Sequence, residues 1–206
     1  MKVLLLMVLA SSMVFADEIV FIPVQDAYVC DCQPGVTNPN GGPAHLYYGR
    51  YGSCYDRSLI QWDLSSIPAG TQIESAEMRM YCMSFTGSPS GQPVFYLVNE
   101  AWDELTVTFD TQPSYGPEPV LSGSWPQPST WFSIDVTPFV QAWIDGSRDN
   151  FGIYCTSIGT TGTSVPGFWS KDGDQEELRP QLVVTFTSDL SSATWGEAKV
   201  CGCGGG

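Results

Sequence analysis

Residues 57–82 read RSLIQWDLSSIPAGTQIESAEMRMYC. Two patterns lie side by side in this stretch. Residues 58–63 alternate, with Leu59 and Gln61 on one face and Ile60 and Trp62 on the other. Apolar groups on both faces predict a strand buried on both sides. It ends at Asp63-Leu64-Ser65-Ser66, whose short polar side chains bond their own backbone, and Pro68 and Gly70 turn the chain. Residues 74–82 then alternate strictly. Ala76, Met78, Met80 and Cys82 face one way, and Glu77, Arg79 and Tyr81 the other. That is a half-buried strand, apolar inside and polar outside.

Outward from this pair the chain continues in short β segments. Residues 18–23 and 27–32 read as a broken first strand, 46–49 as a short one and 94–99 as the return of the strand ending near Cys82. Residues 106–109 read as a short β segment, and 131–136, 151–156, 165–170 and 181–187 as further strands. Residues 111–130 are rich in Pro, Gly and Ser and predict a long surface loop. One helix is expected after Thr137-Pro138. Thr caps it, Pro suits the first turn, Phe139, Val140 and Trp143 recur at helical spacing, and Gly146 ends it. Many short strands with one short helix predict an all-β fold, an antiparallel β-sandwich of the jelly-roll kind.

Several segments together resemble the DNRLRE domain family, which is related to the disaggregatase-related repeats and grouped among carbohydrate-binding modules. The aromatic-Asp-Leu-Ser-Ser-Ile-Pro-Ala-Gly turn after Arg57 carries the centre of the likeness. Asp26-Ala27-Tyr28-Val29 is similar to the family's entry strand. Asn99-Glu100-Ala101-Trp102-Asp103-Glu104, Thr106-Val107-Thr108-Phe109 and Gln112-Pro113 resemble its central motif. Phe132 to Thr137, Val140 to Trp143 and Asn150-Phe151-Gly152 resemble its late motif, and Ser170-Lys171-Asp172 with Leu178 to Val184 its close. The order is kept over residues 19–188. The resemblance implies one sandwich domain with a carbohydrate ligand, and a structural place for Trp102 with its neighbouring acids.

The chain of 206 residues carries 8 Lys+Arg against 22 Asp+Glu, a formal net charge of -14. Such a field repels nucleic acid and anionic membranes, and acidic polysaccharides unless a cation intervenes. Met1-Lys2, an apolar run and Val14-Phe15-Ala16 predict a signal peptide over residues 1–16, with Asp17 first in the mature chain. No later run is long enough to cross a bilayer. The expected layout is a domain over 17–188 and a Cys/Gly-rich tail over 189–206, outside the cytoplasm or at a cell surface, where thiols oxidise.

The 7 cysteines are an odd number. The expected bridges are Cys82 with Cys155, and Cys54 with Cys30 or Cys32. A zinc site from Cys30-x-Cys32 and Cys201-x-Cys203 is the alternative, although neither pair has ordinary finger spacing. Cys201 and Cys203, followed by three glycines, are expected to link chains into disulfide-bonded dimers or to serve surface processing.

His45 is the single histidine and has no nucleophile motif around it, which leaves little room for Ser-His or Cys-His chemistry. Trp102-Asp103-Glu104 is the best local place for a hydrolytic carboxylate pair. No cofactor is required. A structural Ca²⁺ held by Asp26, Asp63 and Asp135, or by Asp172 and Asp174 in the acidic 171–177 segment, is the metal expectation, without EF-hand spacing. Among the tryptophans, Trp62, Trp102, Trp131 and Trp143 fall in β, helical or family patterns and are expected in the core or at a hinge. Tyr47 and Tyr48 lie in or beside loops rich in Gly and Pro and belong to a wider group of rings placed to stack on a sugar. Tyr51, Tyr55, Tyr115, Trp125 and Trp169 are the candidate rings for stacking on a polysaccharide or glycoprotein glycan. The function expected is a secreted, non-catalytic carbohydrate-binding module. Its rivals are an assembly subunit of an extracellular layer, appendage or fibre, and a small glycan-active enzyme.

Overall fold

The computed structural model describes residues 15–39, 42–121 and 124–188. The expected signal peptide, apart from its last two residues, and the tail with Cys201 and Cys203 lie outside the described residues.

All strand pairs are antiparallel and form two layers. The first holds β1 (Phe15–Phe21), β3 (His45–Tyr47), β6 (Ile73–Gly87), β9 (Thr130–Asp135), β11 (Ser164–Trp169) and β12 (Gln181–Ser188). The second holds β2 (Gln25–Cys30), β4 (Gly49–Tyr51), β5 (Cys54–Gln61), β7 (Gln92–Leu97), β8 (Val120–Leu121) and β10 (Ile153–Ile158). The long β6 is the spine of the first layer. It takes β12 and then β11 along one edge and β9 along the other. In the second layer β5 pairs with β2, β4 and β10, and β10 passes on to β7. Up to β11 the chain crosses between layers at nearly every connection, the winding of a jelly roll.

The alternation in β6 places Ala76, Met78, Met80 and Cys82 inside, as the sequence predicts. They meet Ile60, Trp62, Phe95, Ile153 and Cys155 of the facing layer in one core. The two-sided β5 is also as predicted: Ile60 and Trp62 enter that core, and Leu59 joins a second cluster with Ala27, Val29, Val107 and Tyr154. The second cluster is closed by the 99–116 segment. Residues 106–109, expected as β, form turns there instead. Trp102 Nε1–H donates to the Phe151 carbonyl at 2.9 Å, and the Arg57 guanidinium lies 4.6 Å from the Phe109 ring centre. Trp102 is therefore structural, as the resemblance implied. Trp131 departs from expectation. It is 39% exposed on the outer face of β9, edge-on to Tyr81, because it falls out of phase with the inward Phe132 and Ile134.

The helix α1 (Thr137–Ile144) buries Phe139, Val140, Trp143 and Ile144. Its cap differs from the expected one. Asp135 Oδ1 accepts from the Thr137 amide and from its hydroxyl, and Thr137 Oγ1 accepts from the Ala76 amide, so Thr137 ties the helix to β6.

The expected Cys82–Cys155 bridge is absent; both are buried thiols. Cys82 lies on β6 and Cys155 on β10, in facing layers. Sheets stack about 10 Å apart, whereas a disulfide needs Cα atoms about 4.4–6.8 Å apart. Inward alternation reports only that both side chains enter the same core. Cys54 bonds to Cys32, one of the two partners expected.

Candidate functional site

The chain changes layer between β3 and β4. Tyr48 at the crossing is buried, stacked on Phe168 with centroids 5.3 Å apart. Tyr47 just before it and Tyr51 just after it turn toward one cleft of about 400 Å³. Tyr28 from β2, Asp56 from β5 and Thr86 from β6 complete its walls, and Cys30 with the Cys32–Cys54 bridge lies along it. Tyr51 stands at 59% exposure, so its ring is free to meet a ligand.

The cleft is rich in oxygen. Asp56 is buried, and that burial raises its carboxyl pKa, while a hydrogen bond with Cys30 acts in the opposite sense. Burial, and then the Asp56 charge, raise the Tyr28 and Tyr47 phenols, which therefore stay protonated donors at neutral pH. The Tyr28 hydroxyl is buried and has no partner. Rings also continue away from the cleft. Tyr28 and Tyr47 meet edge-on at 5.1 Å, Tyr47 and His45 lie 6.3 Å apart, and His45 and Trp169 lie 5.1 Å apart. The register makes the row: His45 and Tyr47 are two residues apart on β3, and Trp169 pairs with His45. Gly167 pairs with Tyr47, where a Cβ would meet that ring at 2.9 Å.

The five candidate rings separate. Tyr51 borders the cleft and Trp169 ends the row. Tyr55 carries the Arg50 guanidinium over its ring, 5.3 Å from the centre. Tyr115 lies elsewhere, stacked on Tyr154 at 4.4 Å and close to Tyr96. Trp125 is a correction. It is 8% exposed, packs against Tyr48 and Phe85, and donates its indole N–H to the Gly91 carbonyl at 3.1 Å. A loop rich in Pro and Gly folds inward there to plug the core. Tyr47 belongs to the loop-side rings that the sequence singles out, whereas Tyr28 and Asp56 do not; strand periodicity marks them as wall positions and gives no account of which walls meet.

A wider depression of about 570 Å³ lies beside α1, bordered by Trp62, Leu64, Ile67, Pro68 and Trp143. Its two indole rings are buried, and the rest of its lining mixes aliphatic groups with Gln61, Asp63, Ser65 and Asn150. Stacking requires an exposed ring face, so the smaller cleft is the stronger candidate.

The five acids proposed for Ca²⁺ do not converge. Asp63 Oδ1 accepts from the Ser65 amide, Asp135 Oδ1 accepts from the Thr137 amide and hydroxyl, and Asp174 is exposed. Asp26 and Asp172 do meet, together with Glu104. The Lys171 ammonium supplies positive charge to that group, 3.0 Å from Glu104 and 2.9 Å from Asp172. Asp26 accepts from the Ser170 hydroxyl and from the Lys171 amide, each at 2.7 Å.

Burial is the larger influence on Asp26 and pushes its pKa up to about 7 from 3.8. Between those values the folded chain holds a proton that the unfolded chain has lost. Its contribution to stability is thus full below about pH 4, falls as pH rises toward 7, and is flat above. The loss is on the order of a few kcal/mol, at about 1.4 kcal/mol per pH unit. Denaturation of the wild type and of Asp26→Asn between pH 4 and 8 reads this as a difference. A slope identical in the two proteins would mean that Asp26 does not titrate in this window.

A model of carbohydrate-binding module family 96 matches residues 17–186, and the chain belongs to that family. The match agrees with the carbohydrate-binding grouping implied by the resemblance and does not extend to the narrower DNRLRE name. Among curated proteins none matches this chain.

Proposed function

We propose that this member of carbohydrate-binding module family 96 is a secreted, non-catalytic module that holds a glycan in the Tyr28–Tyr47–Tyr51 cleft. The observation that carries the reading is the open cleft itself, with the exposed Tyr51 ring at its mouth and buried hydroxyl and carboxylate groups along its walls. Ring faces suit the apolar faces of sugars, and Asp56 and the tyrosine hydroxyls suit sugar hydroxyls. A glycan long enough to leave the cleft would follow the row through His45 to Trp169. The net charge of -14 favours a neutral glycan over a uronic-acid polymer.

The test is titration of the protein with a panel of soluble polysaccharides, supplemented by pull-down on insoluble ones. Tyr51→Ala is expected to weaken binding about ten- to thirtyfold, the loss of one ring contact worth roughly 1.5–2 kcal/mol. Its melting temperature should hardly move, and Tyr115→Ala should bind as the wild type does. Absence of binding across the panel, or equal losses in both variants, would sink the reading. Affinity for neutral glycans should be the same in EDTA and in Ca²⁺, and uronic-acid polymers should bind weakly in EDTA at low salt. Strong capture of such a polymer in EDTA would contradict the charge argument.

One observation favours assembly as a second reading. The edge strand β1 exposes Val20, and Ile22 and Val24 are exposed just beyond it. Unpaired apolar edges are templates for association. Size-exclusion chromatography with and without reductant separates the readings: a monomer that binds glycan supports the module, and an oligomer without glycan affinity that persists in reductant supports assembly through the β1 edge.

A further inference from the structure

The floor of the cleft holds a group of donors that glycan binding does not use. Cys30, Asp31 and Cys54 each present one ligand atom, and the three atoms lie within 4.8 Å of one another. Cys32 is covalently joined to Cys54, so its sulfur reaches the same place. We propose that reduction of the Cys32–Cys54 bridge converts this floor into a centre for one thiophilic divalent cation, of the zinc class, held by Cys30, Cys32, Cys54 and Asp31.

The donor set is three sulfurs and one carboxylate oxygen, the type that selects zinc over calcium or magnesium. Metal–sulfur bonds of about 2.3 Å in a tetrahedron place ligand atoms roughly 3.3–3.8 Å apart, within reach of small side-chain rotations here. The backbone frame does not depend on the bridge. The Asp31 amide donates to the Tyr55 carbonyl at 3.2 Å, and Asp31 Oδ1 accepts from the Tyr55 amide at 2.8 Å. The Gln33 amide closes the turn on the Cys30 carbonyl at 3.1 Å. These bonds keep the 30–33 turn against the start of β5 after reduction, and they orient the Asp31 carboxylate. All three cysteines border the cleft, which is open for both reductant and ion.

The chemistry balances with a dithiol reductant. It gives two electrons and two protons to the bridge and becomes a disulfide itself, leaving Cys32 and Cys54 as thiols. The cation then displaces the thiol protons of Cys30, Cys32 and Cys54 to solvent. Because thiol protons are released, the ion competes with them and binding strengthens as pH rises. The oxidised and metal-bound forms exclude each other, because both use Cys32 and Cys54.

The experiment uses the full chain, reduced with dithiothreitol, freed of it without air, and titrated with Co²⁺ and then Zn²⁺. One equivalent of Co²⁺ should bind with thiolate-to-metal charge-transfer absorption and tetrahedral visible bands, and Zn²⁺ should displace it. The oxidised protein should show no such band. Cys30→Ser should weaken Zn²⁺ at least tenfold, and Asp31→Asn, which keeps all three sulfurs, several-fold. The double variant Cys201→Ser, Cys203→Ser should bind as the wild type does. The proposal is overturned if reduced wild type shows no charge-transfer band. It is equally overturned if Zn²⁺ affinity is unchanged in Cys30→Ser and Asp31→Asn, or if the band is lost when Cys201 and Cys203 are replaced.

Discussion

Replacing Trp143 by alanine is expected to lower the stability of the fold by about 3–5 kcal/mol. Trp143 sits on α1 at 8% exposure and packs into the main core beside Phe139, Val140 and Ile144. Its indole N–H has no partner, so truncation breaks no hydrogen bond. The cost is therefore lost apolar burial together with the cavity left between the helix and the sheets. Collapse of that cavity is restricted, because the helix is anchored at both ends. The Thr137 hydroxyl holds the Ala76 amide, and the Ile144 carbonyl accepts from the Gly70 amide at 2.9 Å. For a domain of this size the change corresponds to a fall in melting temperature on the order of 10 °C. Trp143→Phe, which refills most of the space, should lose much less. Denaturant titration of both variants checks this, and a Trp143→Ala curve overlying the wild type would place the ring outside the core.

The second large effect is expected at Gly49. Here φ is +123°, and an added Cβ would lie 2.2 Å from the Ser164 carbonyl oxygen. Both members of that contact are backbone, at the place where β4 and β11 join the two layers through Ser164 and Arg50. Gly49→Ala must therefore part the layers or break the pairing. The expected loss is about 4 kcal/mol or more, combining backbone strain with a contact that no side chain can relieve. Gly52 is the control. Its φ is +61°, but an added Cβ meets nothing within 4 Å, so Gly52→Ala should cost only about 1 kcal/mol. Because Tyr47 and Tyr51 flank Gly49, the same change should also disorder the cleft. Thermal melting and glycan titration of both variants measure the two consequences. Equal stabilities for Gly49→Ala and Gly52→Ala would show that the layers are not held at this point.

Local periodicity decided much of this fold without help from elsewhere. A side chain on a strand faces one of two sides, so alternation in β6 fixed which residues enter the core. The double apolar pattern of β5 likewise required cover on both faces. The helix was legible from Pro138, Gly146 and the spacing of Phe139, Val140 and Trp143, since those signals act within one or two turns. The bridge at Cys54 was legible only as a choice between Cys30 and Cys32, because its partner lies 22 residues away and pairing depends on the fold.

Contacts between distant segments were decided only in the tertiary structure. Trp125 sits among loop residues, and whether such a ring faces solvent or fills the core depends on a gap left by Tyr48 and Phe85. Cys82 and Cys155 share an inward direction, yet the thickness of the core separates them. The carboxylates that meet at Lys171 come from three segments, and Glu104, which local sequence marked only beside Asp103, joins Asp26 and Asp172 there. The cleft draws Tyr28, Tyr47, Tyr51 and Asp56 from four strands. The sequence by itself determined most of the strands, their inward faces and the helix, because those follow from the repeat of the backbone. Only the tertiary structure decided which walls meet, because pairing and layer crossing depend on packing between residues far apart in the chain.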